Sequence, residues 1–227
     1  MAYHGYFLFV DAFLDSIPTP NVLEVGVHRG QTFLPILSSL MRKKEAFNLI
    51  GLDILLRDNF EVSFGLMRSQ LTENQHASVC IDDSVSAMKS LRKKDVNTKE
   101  SSSANEIFDL ILLDGDHNYG TVSKELLLIK DLIRQYGMVL IDDYDMVKDE
   151  FFAEKPEYVE KNIGNKREDL LVEGKEGVQA AVDDFVAQNP DFKLFKLTGF
   201  LNESPVLMSR YDLDDINKNT PGLIAKL

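Results

Sequence analysis

The sequence is short of several features that would assign it to a large class. It has one cysteine, Cys80, so no internal disulfide can form and the chain suits a reducing compartment. No apolar run approaches the roughly 18 residues that a membrane-spanning helix needs. Basic residues are outnumbered, with 25 Lys and Arg against 37 Asp and Glu, and the formal charge of −12 argues against a nucleic-acid backbone as partner, which usually needs a basic patch. The first residues, "MAYHGYFLFVDAFLDSIP", lack a basic leader and carry Asp11 and Asp15 within their apolar part. They read as an amphipathic helix, able to pack on the rest of the chain or on a second copy, and not as a signal peptide. No internal repeat is visible. These absences lead us to expect a soluble cytoplasmic protein, folded as a single domain over residues 1–227, with no nucleic-acid or membrane partner.

What is present is an alternation of strand-length apolar runs and longer helical patterns. Strands are expected at "NVLEVG" (21–26), "FNLIGLDI" (47–54), "ASVCI" (77–81), "FDLILL" (108–113) and "GMVLI" (137–141). Helices are expected across "QTFLPILSSLMRKK", near 60–72, over "SVSAMKSLRKK", over "TVSKELLLIKDLIRQY" and over "EGVQAAVDDFVAQ". Such alternation predicts a parallel sheet with helices on both faces, and near-continuous apolar strands agree with it. Cys80, inside "ASVCI", is expected in the core. Residues 145–174 are rich in Lys, Glu, Asp and Asn and read as an excursion over the sheet edge, either a lid or a solvated loop. The polar run 96–106 reads as a surface loop. "FKLFKLTGF" (192–200) and "SPVLMSRY" (204–211) are expected as the last two strands, with 212–227 a tail.

The strand ends hold the chemistry. "LEVGVHRGQTF" places Glu24, Gly26 and Gly30 directly after the first strand. Glycine there lets a ligand approach the backbone, and the helix start offers unpaired N–H groups. The dinucleotide pattern G-x-G-x-x-G is absent, because Glu24 and Arg29 occupy two of its glycine positions. That counts against a nicotinamide-dependent oxidoreductase. A tight turn with no ligand is the plain alternative. The second strand ends at Asp53, suited to two ribose hydroxyls, and the third leads to Asp83 and Ser84, where an adenine edge could be read.

The order E-x-G-x-x-x-G, then an acid at the second tip, then D-S at the third, resembles class I S-adenosylmethionine-dependent methyltransferases. The resemblance implies a Rossmann-like α/β fold, a seven-stranded mostly parallel sheet with an antiparallel final strand. It implies that Glu24, Gly26 and Gly30 cradle the methionine part of S-adenosylmethionine, Asp53 binds ribose, and Asp83 and Ser84 contact adenine. Asp82 departs from the pattern, standing where a glycine is common.

Four more acids crowd neighbouring strand ends. Strand four runs into Asp114-Gly115-Asp116-His117 and strand five into Asp142-Asp143. Adjacent strands lie about 4.8 Å apart, and like charges so close repel or raise each other's pKa. A divalent cation with oxygen ligands, magnesium, calcium or manganese, would relieve this. "LLDGDHNY", "VLIDDY" and "GVQAAVDDF" are similar to the macrocin O-methyltransferase-like group, metal-dependent enzymes acting on sugar hydroxyls. That resemblance implies a metal site, magnesium by preference, at Asp114, Asp142 and Asp143. It also implies a general base at Asp116, with His117 as second candidate, and a sugar or polyol hydroxyl as acceptor; a catechol would also chelate a metal. The plain alternatives are that Asp142 and Asp143 form a turn, that Asp116 or Asn118 caps the next helix, and that His117 only hydrogen-bonds nearby. His28 lines the pocket. Tyr119 and Tyr144 flank the acids, as substrate platforms or as strand-edge aromatics. A non-catalytic metabolite-binding relative stays open beside the enzyme.

Overall fold

The computed structural model describes residues 7–56, 59–94, 107–145, 172–196 and 222–227. Helix α1 spans Phe7–Asp15, followed by β1 (Asn21–Val25), α2 (Phe33–Lys43), β2 (Phe47–Asp53), α3 (Phe60–Arg68) and β3 (Gln75–Ile81). Next come α4 (Ser84–Lys94), β4 (Phe108–Leu113), α5 (Tyr119–Leu132), β5 (Ile133–Ile141), α6 (Gly177–Gln188), β6 (Phe192–Lys196) and β7 (Gly222–Lys226). The seven strands form one sheet in the order β3-β2-β1-β4-β5-β7-β6. Strands β1 to β5 pair in parallel, and β7 is antiparallel to both β5 and β6.

Period-two alternation along the strands sorts the core into two layers. Leu23, Val25, Ile111, Leu113, Val139 and Ile141 face one side and pack with Ala87, Met88, Val122, Leu126, Val178 and Val182, from α4, α5 and α6. Val22, Leu49, Leu110, Leu112 and Leu140 face the other side and pack with Val10, Leu14, Phe33, Leu37, Leu40 and Phe60, from α1, α2 and α3. Helix α2 shows the matching helical period, with Phe33, Ile36, Leu37 and Leu40 buried on one stripe. The expected sheet with helices on both faces is the one observed.

The strand order turns around between β1 and β4, since β2 and β3 lie to one side and β5, β7 and β6 to the other. At such a switch point the connections leave in opposite directions and open a crevice beyond the strands' carboxyl ends. Here Val25 pairs with Leu113, so the glycine turn and the acidic mouth share that crevice.

Six expectations need correction or fall outside the described residues. The last strand of the sheet is β7, Gly222–Lys226, inside the segment read as a tail. Residues 204–211, expected as that strand, lie outside the described residues. "GLIAK" is too short to show a period, and only its antiparallel pairing with β5 and β6 reveals it. The helix expected over 121–136 starts at Tyr119 and ends at Leu132, because Ile133 already pairs with Phe108 of β4. Tyr136 then takes a positive φ of 63° at a register shift before Met138 pairs with Leu110. Cys80 is exposed rather than core, because β3 is the edge strand and Ser78 and Cys80 face outward while Gln75 and Ala77 are buried. The loop 96–106 and nearly all of the 145–174 excursion also lie outside the described residues.

Ile224 of β7 is fully buried against the β5 side of the core. Ile224→Ala is expected to cost about 3 kcal/mol, lowering the thermal midpoint by roughly 6–12 °C. Thermal unfolding followed by circular dichroism checks this; an unchanged midpoint would mean that β7 is not part of the sheet.

Candidate active site

The glycine turn is built against the tip of β4. Gly26 has φ +93° and donates its N–H to Leu52 O at 2.8 Å. A Cβ at Gly26 would lie 1.8 Å from the carbonyl oxygen of Asp114, so no other residue fits. Gly30 has φ +75°, and a Cβ there would meet the Phe60 ring at 2.5 Å. Between them His28 also takes a positive φ of 49°. Its N–H donates to Asp53 Oδ2 at 2.5 Å, while Asp53 Oδ1 accepts from Leu55 N at 2.8 Å. Asp53 therefore anchors the glycine turn to the tip of β2, and its carboxylate keeps two lone pairs for a ligand's hydroxyls.

Glu24 lies beneath this turn, 1% exposed, and one of its oxygens, Oε2, is buried with no partner. Burial raises its pKa well above the ordinary carboxyl range, and the charges of Asp114 and Asp53 add to that, against a hydrogen bond from the Phe33 backbone.

At the outer tip, the backbone N–H of Asp82 donates to Asp53 O at 2.9 Å, tying the third strand end to the second. Asp83 Oδ1 accepts from Ser86 N at 2.9 Å, so Asp83 caps α4. Ser84 opens that helix and donates its hydroxyl to Glu125 of α5.

The acids at the β4 and β5 tips divide into two groups. Asp114 N donates to Val25 O at 2.8 Å and Asp142 N to Leu113 O at 2.9 Å, which fixes both backbones side by side. Around them stands His117, with Nε2 3.7 Å from Asp114 Oδ1 and Nδ1 3.6 Å from Asp143 Oδ2. Burial lowers the His117 pKa, but Asp114, Asp143 and Asp142 outweigh that and hold it at about 9. Asp142, 8% exposed, is pushed up to about 8 by burial, then by Asp114 and Asp143. Asp143 takes a positive φ of 50°, so the β5 tip turns sharply here, as one plain alternative held. Among the described residues no three His, Cys, Asp or Glu side chains converge as a metal site. The donor chemistry nevertheless suits a hard cation: the donors of Asp114, Asp142 and Asp143 are all oxygens, and burial first, then the charges of Asp114 and Asp143, raise the proton affinity of Asp142.

Asp116 turns instead into the start of α5. Its Oδ2 accepts from Thr121 Oγ1 at 2.7 Å and from the Asn118 side chain. The helix cap is Asn118, fully buried, whose Oδ1 accepts from Thr121 N at 3.0 Å. Asp116 Oδ1 is buried and has no partner among the described residues. Burial raises the Asp116 pKa, opposed by the Thr121 and Asn118 bonds and by His117.

Sequence reasoning named Tyr119 and Tyr144 but missed three contributors, Asp184, Asp183 and Glu125. Tyr119 donates its hydroxyl to Asp184 at 2.7 Å and Tyr144 donates to Asp183 at 2.8 Å, so both flanking tyrosines are braced by consecutive acids of α6. Glu125 is the third. It lies on the buried stripe of α5 with Val122, Leu126 and Ile129, and a charged residue at that period was a readable signal. Burial pushes its pKa up to about 8, and Asp116 and Asp83 add to this against Ser84 and His117.

The fold and the site together define a class I, Rossmann-like methyltransferase arrangement, with a glycine turn, three polar strand tips and an acidic mouth at one switch point. A methyltransferase domain family matches residues 23–144, more than half of the chain, and the chain belongs to that family of S-adenosylmethionine-dependent methyltransferases. Among curated proteins, no sequence matches it. An O-methyltransferase from Bacillus cereus, solved in complex with SAH, superimposes with a TM-score of 0.52 at 14% identity, covering 100% of this chain and 83% of that one. TomG, an O-methyltransferase from Streptomyces achromogenes involved in tomaymycin synthesis and solved in complex with SAM, gives 0.51 at 13% identity, covering 100% and 80%. At these identities the likeness is one of fold.

Gly26→Ala is expected to lower stability by at least about 2 kcal/mol, and S-adenosylhomocysteine should no longer raise its midpoint. Thermal unfolding with and without that ligand reads both effects. Glu125→Gln tests the buried acid. In the folded wild type Glu125 holds its proton up to about 8, against an ordinary value of 4.5. Its contribution to stability is therefore full below the ordinary value and is lost as pH rises through the folded one. The variant cannot ionise, so its midpoint should gain on the wild type across that window; parallel pH curves would contradict the assignment.

Proposed function

We propose that this methyltransferase transfers the methyl group of S-adenosylmethionine to a hydroxyl oxygen of a small molecule, with Asp116 as general base. The observation that carries the reading is Asp116 Oδ1, a buried carboxylate oxygen with no partner, on a side chain held through its other oxygen by Asn118 and Thr121. A buried acceptor left unmatched costs stability, and a site that receives a proton during turnover explains its retention. The raised pKa of Asp116 favours proton uptake as well.

The glycine turn at Gly26 and Gly30 receives the methionine end of the donor, above Glu24. Asp53 offers its remaining lone pairs to the ribose hydroxyls, and Asp83 and Ser84 meet the adenine. The acceptor oxygen attacks the sulfonium methyl in line. The carbon–sulfur bond breaks with its electron pair going to sulfur, the carbon–oxygen bond forms, and the hydroxyl proton passes to Asp116 Oδ1. Tyr119 and Tyr144, braced from α6, wall the acceptor side.

Asp114, Asp142 and Asp143 are the residues that would hold a divalent cation, magnesium by preference. When bound, it would orient the acceptor hydroxyl and lower its pKa. His117 balances the same acids from inside the cluster. The D-G-D-H and I-D-D patterns at neighbouring tips support a sugar or polyol acceptor through their likeness to the macrocin-type enzymes. The lone cysteine supports a cytoplasmic enzyme, and the length of 227 residues supports one domain.

Thermal unfolding with S-adenosylhomocysteine, with NADH, and with each plus magnesium or EDTA tests the cofactor and the metal. A ligand at about 100 times its Kd stabilises by roughly 2.7 kcal/mol, which for a chain of this size raises the midpoint by about 5–10 °C. The rise is expected with S-adenosylhomocysteine and not with NADH, and a further magnesium-dependent rise that EDTA reverses is expected from the acidic mouth. No response to S-adenosylhomocysteine would leave a non-catalytic relative as the better reading. Asp116→Asn should lower turnover by at least about 100-fold while keeping the S-adenosylhomocysteine shift; full activity would remove Asp116 from the base role.

A further inference from the structure

Glu125 sits in the middle of α5, yet none of its surface reaches solvent. Its neighbours on the buried stripe are Val122, Leu126 and Ile129, where an apolar side chain would pack better. Oε1 accepts the hydroxyl of Ser84, and Oε2 has no partner among the described residues. A buried acid with half of its hydrogen-bonding capacity unmet weakens a fold. The bond it does make reaches one place only, the first residue of α4 beyond the tip of β3.

That tip needs support. Among the described residues β3 is the edge of the sheet, with β2 as its single neighbour. Asp82 N to Asp53 O holds it on the β2 side, and Ser84 to Glu125 holds it from beneath. Arg92 and Asp131 also join α4 to α5, at 3.0 Å, but at the far ends of the two helices. The groups whose charges reach Glu125 are Asp83, Asp116 and His117. Held neutral by burial, Glu125 can grip Ser84 without adding a negative charge beside Asp83 and Asp116.

We infer that Glu125 is a positioning residue for the methyl donor: from beneath the pocket it holds Ser84, and with it the third strand tip, where the adenine end of S-adenosylmethionine is gripped. The inference rests on the assignment of Asp83 and Ser84 to the adenine end.

The test is calorimetric titration of S-adenosylhomocysteine into the full chain, for wild type, Glu125→Met, Ser84→Ala and the double variant, with the ligand-free thermal midpoint of each. Methionine keeps the length and volume and removes the hydrogen bond. Glu125→Met is expected to weaken binding about tenfold, the scale of one hydrogen bond lost, while its midpoint holds or rises. Ser84→Ala should weaken binding too, and the double variant should bind no more weakly than Ser84→Ala alone, since both break one link. A merely structural role would lower the midpoint and leave the Kd unchanged, and that result overturns the inference. So do independent, multiplying losses in the double variant. If Glu125→Met does not fold, Glu125→Asp, one methylene too short to reach Ser84, should show the same loss; wild-type affinity in it also overturns the inference. Failure of the wild type itself to bind S-adenosylhomocysteine would instead sink the cofactor reading beneath it.

Discussion

The site depends on one close approach, the backbone of Gly26 against the carbonyl of Asp114. With 1.8 Å between that oxygen and the place a Cβ would take, the turn after β1 can touch the tip of β4 only because the side chain is missing. On the proposed function the contact joins two roles: Gly26 belongs to the turn that would receive the donor, and Asp114 begins the acidic mouth that would receive the acceptor. Methyl transfer needs the sulfonium carbon and the attacking oxygen in line at near contact, and a misplacement of about 1 Å can cost roughly 100-fold in rate. A backbone contact at the switch point sets that spacing more rigidly than side chains could.

Around this contact the molecule concentrates acids that the fold alone would not choose. Glu24, Asp116, Glu125 and Asp142 are all buried or largely so, and all have proton affinities pushed upward. Three of them leave an oxygen unmatched, and those atoms are Glu24 Oε2, Asp116 Oδ1 and Glu125 Oε2. Each follows from the same physical cause, a carboxyl removed from water near others of its sign. A stable scaffold with such a cluster trades stability for a site that is short of positive charge and of hydrogen-bond donors. On the proposed function, a sulfonium donor, a divalent cation and a hydroxyl acceptor would supply what is missing. His117 supplies part of it from within the chain, standing between Asp114 and Asp143.

Much of this was legible in the sequence, for reasons that particular residues make plain. Strands such as "FDLILL" are apolar on both faces because helices cover both faces, so the parallel sheet could be read from alternation alone. Gly26, Asp53 and Asp114 could be read because strand ends are where such a sheet binds. What escaped depends on partners distant in the chain. Cys80 looks buried in "ASVCI" until β3 is known to be the edge. Glu125 stands out on the apolar stripe of α5, but its partner Ser84 lies 41 residues earlier and no local pattern joins the two. The bracing of Tyr119 and Tyr144 needs α6, and no local pattern connects a tyrosine to an acid 65 or 39 residues away.

β7 shows the same limit with a consequence for the site. Its five residues carry no clear period, and it lies in a segment that the sequence leaves as a tail. Yet β7 fills the gap between β5 and β6, and its first residue reaches the acidic mouth. A Cβ at Gly222 would come within 2.9 Å of Tyr144 Cγ, so the base of that ring packs closely against the β7 backbone. Tyr144 follows Asp142 and Asp143 directly, and its hydroxyl is fixed to Asp183. The ring is thereby clamped between the last strand and α6, and the sharp turn at Asp143 that precedes it is held from both sides. The antiparallel edge thus does more than close the sheet: it sets the conformation of the acids at the tip of β5, as Gly26 sets that of the acids at the tip of β4.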